Sequence, residues 1–174
     1  MKHLNPQKAV LICLLAGLVA GFTGCFASKY TLVPPEQAKV DRKYVGDWDA
    51  INTKGDHVTF IIRNIDDKLF TIQTRDQENK GDSYVGFLAD VKGTTFAEVR
   101  ELPEDGTIHD EWMLMKISLV DGKLLLDQLD QDKMKNVQIA SSQQLRAFLE
   151  EHLNDPAIYA KDEFIAATRI VARQ

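Results

Sequence analysis

The feature that most constrains the fold is a series of short, β-rich runs that are interrupted by turn residues about every ten residues. The run with Val58, Phe60 and Ile62 shows the pattern most clearly, because polar residues such as Thr59 separate its apolar ones. An alternation of period two places apolar side chains on one face of a strand and polar side chains on the other. Repetition of such runs predicts a mainly β protein, either an antiparallel sandwich or a barrel.

The runs predict eight strands, at residues 44–51, 58–63, 70–73, 84–91, 94–101, 110–120, 123–129 and 164–171. Lys92-Gly93 and Asp121-Gly122 each lie between two runs and match two-residue hairpin loops. Glycine suits these loops because it accepts the positive φ that they require. Connections this short indicate that consecutive strands pair in sequence order, as an up-and-down meander.

One segment breaks the strand pattern. Residues 141–153 carry apolar side chains at the spacing of one helical stripe, namely Leu145, Phe148, Leu149 and Leu153. Ser141 and Gln144 form a potential capping box at the start of this segment. Pro156 ends it, because the residue before a proline avoids helical geometry. The sequence therefore predicts one helix before the last strand.

The first 24 residues have the pattern of a signal peptide. Lys2 and Lys8 provide a positive N-terminal region, and the mostly apolar run that follows covers residues 9–22. This run is too short to span the roughly 30 Å of hydrocarbon in a bilayer. We therefore expect residues 1–24 to be removed, so that the mature chain begins at Cys25.

Cys25 closes the run Phe22-Thr23-Gly24-Cys25, which resembles the lipobox of bacterial lipoproteins. The resemblance implies that the thiol of Cys25 is diacylated with palmitate-type chains and that the protein is anchored to a membrane. Phe26 is not the aspartate that retains Gram-negative lipoproteins in the inner membrane, so the resemblance implies the outer membrane, facing the periplasm. The alternative is an ordinary secretory signal that leaves Cys25 as a free thiol.

The residues after Cys25 read as a connection between the lipid and a folded domain. Pro34-Pro35 favour extended backbone and remove two amide donors, which is typical of a spacer. A first edge strand is the alternative interpretation. The sequence thus predicts a signal peptide at 1–24, a lipidated cysteine and linker at 25–40, and one β domain at 41–174.

Composition argues against a nucleic-acid partner and supports a single domain. Loss of the signal peptide leaves 150 residues, enough for one hydrophobic core, and removes two lysines, so that the formal net charge goes from −5 to −7. The basic residues are scattered among carboxylates, and we therefore predict no nucleic-acid partner. Cys13, the other cysteine, lies in the signal peptide, so the mature chain has no disulfide.

Gly46-Asp47-Trp48 lies early in the first predicted strand. Together with eight strands in meander order and a helix before the last one, this motif resembles the lipocalin and broader calycin group. The resemblance implies an eight-stranded antiparallel barrel in which a basic residue, here Arg169, packs over Trp48 and closes one end. The chain also resembles uncharacterised bacterial lipoproteins with a small lipocalin-like domain and a C-terminal Leu-x-x-Phe-Leu helix, here at 145–149.

The interior of an eight-stranded barrel is either filled by side chains or wide enough for one small ligand. The first hypothesis is a membrane-anchored lipoprotein whose barrel binds a small apolar ligand in the cell envelope. Its cavity would be lined by Trp48, Phe60, Phe70, Phe87 and Met115. The alternative is a solid-core barrel that acts as a protein–protein interaction module and docks onto an envelope protein through its outer face or its helix.

Few groups are arranged for catalysis or metal binding. His109 and its two acidic neighbours are adjacent in an expected strand, where consecutive side chains point to opposite faces. Asp127, Asp130 and Asp132 are spaced somewhat like a calcium loop, but the glycine and the distal glutamate of that motif are missing. We therefore predict no metal site, no cofactor and no enzymatic activity, although a glycosidase-type carboxylate pair stays open.

Overall fold

Antiparallel strands dominate the computed structural model, which describes residues 26–51, 55–107, 109–160 and 165–171. The strands are β1 Ala27–Ser28, β2 Gly46–Ile51, β3 His57–Asn64, β4 Phe70–Arg75, β5 Ser83–Val91, β6 Thr94–Glu101, β7 Trp112–Val120, β8 Lys123–Gln128 and β9 Ile165–Arg169. The α-helices are α1 Gln131–Met134 and α2 Ser142–His152. Short 3-10 turns lie at Pro35–Gln37, Arg42–Tyr44 and Pro156–Ile158.

Strands β2 to β9 form a closed, eight-stranded antiparallel barrel. Each pairs with its neighbour in sequence, and β9 also pairs with β2, which closes the sheet. Trp48 on β2 is opposite Phe60 on β3 and opposite Arg169 on β9. The predicted mainly β fold, the meander order and the helix before the last strand are therefore confirmed, and the arrangement is compatible with a lipocalin-like barrel.

Two of the hairpins have the backbone geometry that their sequences predict. Lys92 and Gly93 both have positive φ, at 50° and 83°, and so do Asp121 and Gly122, at 50° and 75°. Two consecutive positive φ values match the twist of the flanking strands. The loops join β5 to β6 and β7 to β8 with the pairs Val91–Thr94 and Val120–Lys123.

The apolar residues form two layers, one on each side of the barrel wall. The inner layer fills the barrel and includes Trp48, Phe60, Phe70 and Met115. The outer layer lies between the outer faces of β5 to β7 and the helices, and includes Phe96, Leu114, Met134, Leu145 and Leu149. Within the described ranges, no helix has the length and apolarity needed to cross a bilayer.

Helix α2 covers one side of the barrel with its apolar stripe. Leu145 and Leu149 are fully buried, as the spacing of the sequence predicts. The hydroxyl of Ser141 accepts a hydrogen bond from the Gln144 amide at 3.2 Å, and the Gln144 side chain accepts one from the Ala140 amide at 2.8 Å. Side-chain caps of this kind satisfy amides that a helix start leaves unpaired.

Residues 26–40, here called the strap, pack along the outside of the barrel, where a spacer was expected. Strand β8 stops pairing with β7 at Gln128, and β1 takes its place beside Trp112 and Met113. The Phe26 amide, just before β1, donates to the carbonyl of Leu129, just after β8, at 3.1 Å. This hydrogen bond ties the start of the strap to the end of β8. Leu32 is buried in the outer layer. The packing uses single side chains and backbone hydrogen bonds, so it leaves no periodic signal in the sequence.

Candidate functional site

The barrel interior is nearly filled. A cavity of about 30 Å³ remains between the inner side chains and the turn around Tyr44, and its lining is mostly apolar. Phe60, Phe70 and Met115 lie on its wall, as predicted for a ligand site. Gly86 is paired with Phe70, and the ring occupies the space beside it that a Cβ atom would need. A cavity needs about 10–15 Å³ to hold one water, whereas one of about 150 Å³ binds benzene, so this interior is too small for an acyl chain.

The other two predicted lining residues lie elsewhere. Trp48 belongs to the inner layer but is not on the cavity wall. Phe87 lies on the outer face of β5, where its ring meets that of Trp112 edge-on with centroids 4.9 Å apart. The alternation of β5 correctly groups the residues of each face, but both faces of this strand are buried. Because Leu88 lines the cavity, its neighbour Phe87 must point outward.

The Trp48–Arg169 contact that the lipocalin resemblance implies is present at one end of the barrel. The guanidinium of Arg169 lies 4.2 Å from the centre of the Trp48 ring. It also donates to the carbonyls of Val45 at 2.7 Å and Lys43 at 2.6 Å. Arg169 therefore holds the Arg42–Tyr44 turn against the barrel end.

Gly46 makes room for this arginine. Its φ of 145° is one that L side chains rarely adopt, and a Cβ atom there would collide with the guanidinium of Arg169. The indole of Trp48 donates to the Tyr44 carbonyl at 2.9 Å and fixes the other side of the turn. The glycine of the Gly-x-Trp motif is thus needed for the close approach of Arg169 to the backbone.

Glu98 is a buried carboxyl that the sequence reasoning missed. It lies on the outer face of β6 with no exposed surface, and both of its oxygens are 3.0 Å from the Leu32 amide of the strap. Burial raises the pKa of Glu98 to about 8, although the amides of Leu32 and Val33 and the charge of Arg146 oppose that shift. The one signal in the sequence is a carboxylate inside an apolar strand run, 96–99.

A surface cleft of about 420 Å³ lies between β7, β8 and the Leu153–Ala160 region. Within it, Lys116 is 3.4 Å from Asp127 and 5.2 Å from the centre of the Tyr159 ring. The Tyr159 hydroxyl donates to the Leu153 carbonyl at 3.1 Å. Burial, together with the charge of Asp127, raises the pKa of Tyr159 to about 12. Lys116, Asp127 and Tyr159 therefore have polar partners within the protein.

The acidic residues considered as metal ligands have other roles in the structure. Asp130 caps α1 by accepting hydrogen bonds from the Asp132 and Lys133 amides, and Asp132 pairs with Lys135 at 3.0 Å. His109 and its acidic neighbours are exposed before β7 begins. No group of three or more metal-binding side chains occurs in the part of the chain that the structure describes. Cys25 and the signal peptide lie outside the described residues.

The comparisons with known proteins add no relative. No family model, curated protein or solved structure matches this chain. The likeness to lipocalins therefore depends on the barrel and on the Gly46, Trp48 and Arg169 arrangement alone.

The outer face of β9, β2, β3, β4 and the Lys123 end of β8 carries neither α-helix of the described chain, and we call it the bare face, whereas the Asp127 end of β8 lies against the Leu153–Ala160 region. One row of paired residues crosses it, namely Lys123, Thr168, Asp49, Thr59 and Arg75. Short side chains occupy much of the row, and cations lie at both of its ends. Two ion pairs lie on the same face, Arg63–Asp47 at 2.6 Å and His57–Asp49 at 3.1 Å.

Proposed function

We propose that the protein is a lipid-anchored envelope protein whose barrel is a solid module that docks onto another envelope protein. The observation that carries this proposal is the filled interior, which leaves a cavity of only about 30 Å³. Large inner side chains such as Phe60 and Phe70 occupy the space that a ligand would take. With the interior filled, the outer surface is what the molecule offers to a partner.

Helix α2 is a poor docking element, because its apolar stripe is already in use. Leu145 and Leu149 are buried against the barrel. The bare face is the surface we assign to docking. The short threonine side chains of its row allow close approach of a partner's backbone, and Lys123 and Arg75 at opposite ends of the row set the orientation of a partner that carries carboxylates.

Site-specific photo-crosslinking in cells tests this assignment. A photoreactive residue replaces Thr168 at the centre of the bare face, and a matched control replaces Gln143 on the exposed side of α2. We expect a single stoichiometric protein adduct from position 168 and none from position 143. Absence of an adduct at 168, or equal adducts at both positions, would contradict docking through the bare face.

Binding of a small apolar ligand is a second proposal, which the mostly apolar lining of the cavity favours. It requires the inner side chains to move apart, and Met115 has the flexibility for such repacking. Native mass spectrometry of the purified protein with an added fatty acid provides the test. Uptake should disappear in Ala97→Leu, which adds volume at the cavity wall. A wild-type protein that takes up no fatty acid would contradict ligand binding and leave docking intact.

Attachment to the membrane is part of the first proposal and depends on acylation of Cys25. We expect metabolic labelling with palmitate to mark the wild-type protein, and Cys25→Ser to lose both the label and the membrane fraction. Retention of Cys25→Ser in the membrane fraction would show that the anchor lies elsewhere. The absence of enzymatic activity and of a cofactor stays a prediction.

A further inference from the structure

The strap is attached to the barrel at separate points along its length. Backbone hydrogen bonds join Phe26 to Leu129 and Leu114, and Val40 to Asp67, and Phe26 and Val33 pack against the outer layer. Strand β1 contributes two residue pairs with β7, and one isolated bridge joins Lys39 to Leu88. Leu32 and Ala38 are its buried apolar residues between those two points. Segments with few buried contacts open locally at a lower free energy than the rest of a fold.

Glu98 lies where the strap meets the barrel. Its carboxyl faces the Leu32 and Val33 amides of the strap. The residues paired with it on the flanking strands, Phe87 and Leu114, are apolar and fully buried. Among the described residues, the charged group that acts on it is Arg146 of α2, which is itself engaged with Glu150 at 3.6 Å. An ionised carboxylate is costly in such surroundings.

We propose that Glu98 is the latch of a detachable strap, which stays on the barrel while this carboxyl is protonated and lifts away as a unit when it ionises. Lifting the strap opens the carboxyl to water and so removes the cost of burying its charge. Opening breaks the pairs with β7 and the backbone hydrogen bonds of the strap and exposes Leu32 and Ala38, a cost that ionisation of Glu98 offsets in part. The inference concerns the strap alone and holds whether or not Cys25 is acylated.

The linkage between proton binding by Glu98 and strap opening determines whether the strap opens at low or at high pH. On the closed barrel the pKa of Glu98 is about 8, whereas a solvated glutamate has its ordinary value of 4.5. Between these pH values the closed form binds more protons than the open form, so rising pH favours opening. From pH 5 to pH 8 the ratio of closed to open strap falls by about 400-fold.

Opening changes the reach of the N-terminal segment. Residues 26–40, when extended, span about 50 Å. It also frees the edge of β7 at Trp112 and Met113, which β1 otherwise covers. If Cys25 carries the proposed lipid, the latch sets how far the barrel extends from the bilayer.

Hydrogen exchange of the mature chain measures the latch directly. Protection factors, which correct for the intrinsic pH dependence of exchange, are compared at pH 5 and pH 8 for amides of the strap and of β5. We expect strap protection to fall by about 400-fold and to lie below that of β5 at both pH values, because the strap opens while β5 stays folded. Strap protection that does not change with pH would overturn the proposal.

Two variants identify the responsible group. Glu98→Gln keeps the shape and an acceptor for the Leu32 amide but does not ionise, so strap protection should become independent of pH. Arg146→Gln removes the charge that stabilises the ionised carboxylate on the closed barrel, so it should lower strap protection further at and above pH 8 and leave it nearly unchanged at pH 5. A pH dependence that persists in Glu98→Gln, or strap protection that is not lower in Arg146→Gln than in the wild type at and above pH 8, would assign the opening to another group and overturn the proposal.

Discussion

At the scale of single residues, Arg169 closes one end of the barrel although its side chain is exposed. It stacks on Trp48 and donates to two carbonyls of the Arg42–Tyr44 region, so one side chain joins the last strand to the turn before the first barrel strand. Interactions of a guanidinium with a ring and with carbonyls contribute about 0.5–2 kcal/mol and about 1 kcal/mol each. The loss of Arg169 should therefore lower the free energy of unfolding of the whole barrel.

Arg169→Ala should lower the free energy of unfolding by about 2 kcal/mol, because the stacking and both hydrogen bonds disappear together. Urea denaturation measures the change, with Arg75→Ala on the bare face as the matched control. We expect the control to stay within about 0.5 kcal/mol of the wild type. Equal effects of the two variants would show that Arg169 is an ordinary surface residue.

Gly46→Ala should destabilise the protein by about 2 kcal/mol, through backbone strain and through the collision of the new Cβ with the guanidinium. In an Arg169→Ala background the collision disappears and only the strain remains. A double-mutant cycle in urea should therefore give a smaller cost for Gly46→Ala in that background. Strict additivity would indicate that the two residues do not interact.

Glu98 should make the stability of the whole fold depend on pH. The folded protein binds its proton more tightly than the unfolded chain, because its pKa rises from 4.5 to about 8. The stabilisation is complete below about pH 4.5 and is lost as the pH rises through 8, which amounts to about 3.5 kcal/mol between pH 5 and pH 8 while the strap stays closed and to less where the strap opens. Urea denaturation at both pH values should show this loss relative to Glu98→Gln. A parallel pH dependence in the variant would argue against it.

At the scale of elements, the sequence predicts what is periodic and misses what is not. The eight strands and α2 follow from alternation, stripe spacing and glycine turns, and all are present. Phe87 was misplaced because β5 is buried on both faces, so alternation does not say which face points into the barrel. The strap looked like a spacer because it packs through isolated residues such as Leu32 and through one carboxyl, which no local pattern reveals.

Leu149→Ala tests how strongly α2 is held. The side chain is fully buried in the outer layer, so its truncation leaves a cavity under the helix. The free energy of unfolding should fall by about 3 kcal/mol, whereas Gln143→Ala on the exposed side should change it by less than about 0.5 kcal/mol. Thermal or urea unfolding provides the measurement. A cost below 1 kcal/mol for Leu149→Ala would mean that the helix rests loosely on the barrel.

At the scale of the whole molecule, the barrel wall separates a filled interior from two unlike outer surfaces. Strands β5 to β7 are covered by the strap and the helices, while β9, β2, β3, β4 and the Lys123 end of β8 form the bare face. The division follows from the strands themselves, because β5 is buried on both faces, whereas β3 alternates buried with half-buried residues and is exposed at its ends. A solid wall with one uncovered side suits docking better than storage of a ligand.

The filled interior leads to a last prediction. Phe70→Ala removes a ring from the cavity wall and should enlarge the interior enough to admit benzene, at a cost of about 3–5 kcal/mol in unfolding free energy. Benzene should then raise the melting temperature of Phe70→Ala, because a ligand that binds only the native state stabilises it. It should leave the wild type unchanged, and Phe70→Leu should show a smaller rise. If benzene stabilises the wild type as much as Phe70→Ala, the barrel opens readily, and ligand binding becomes the better account of its function.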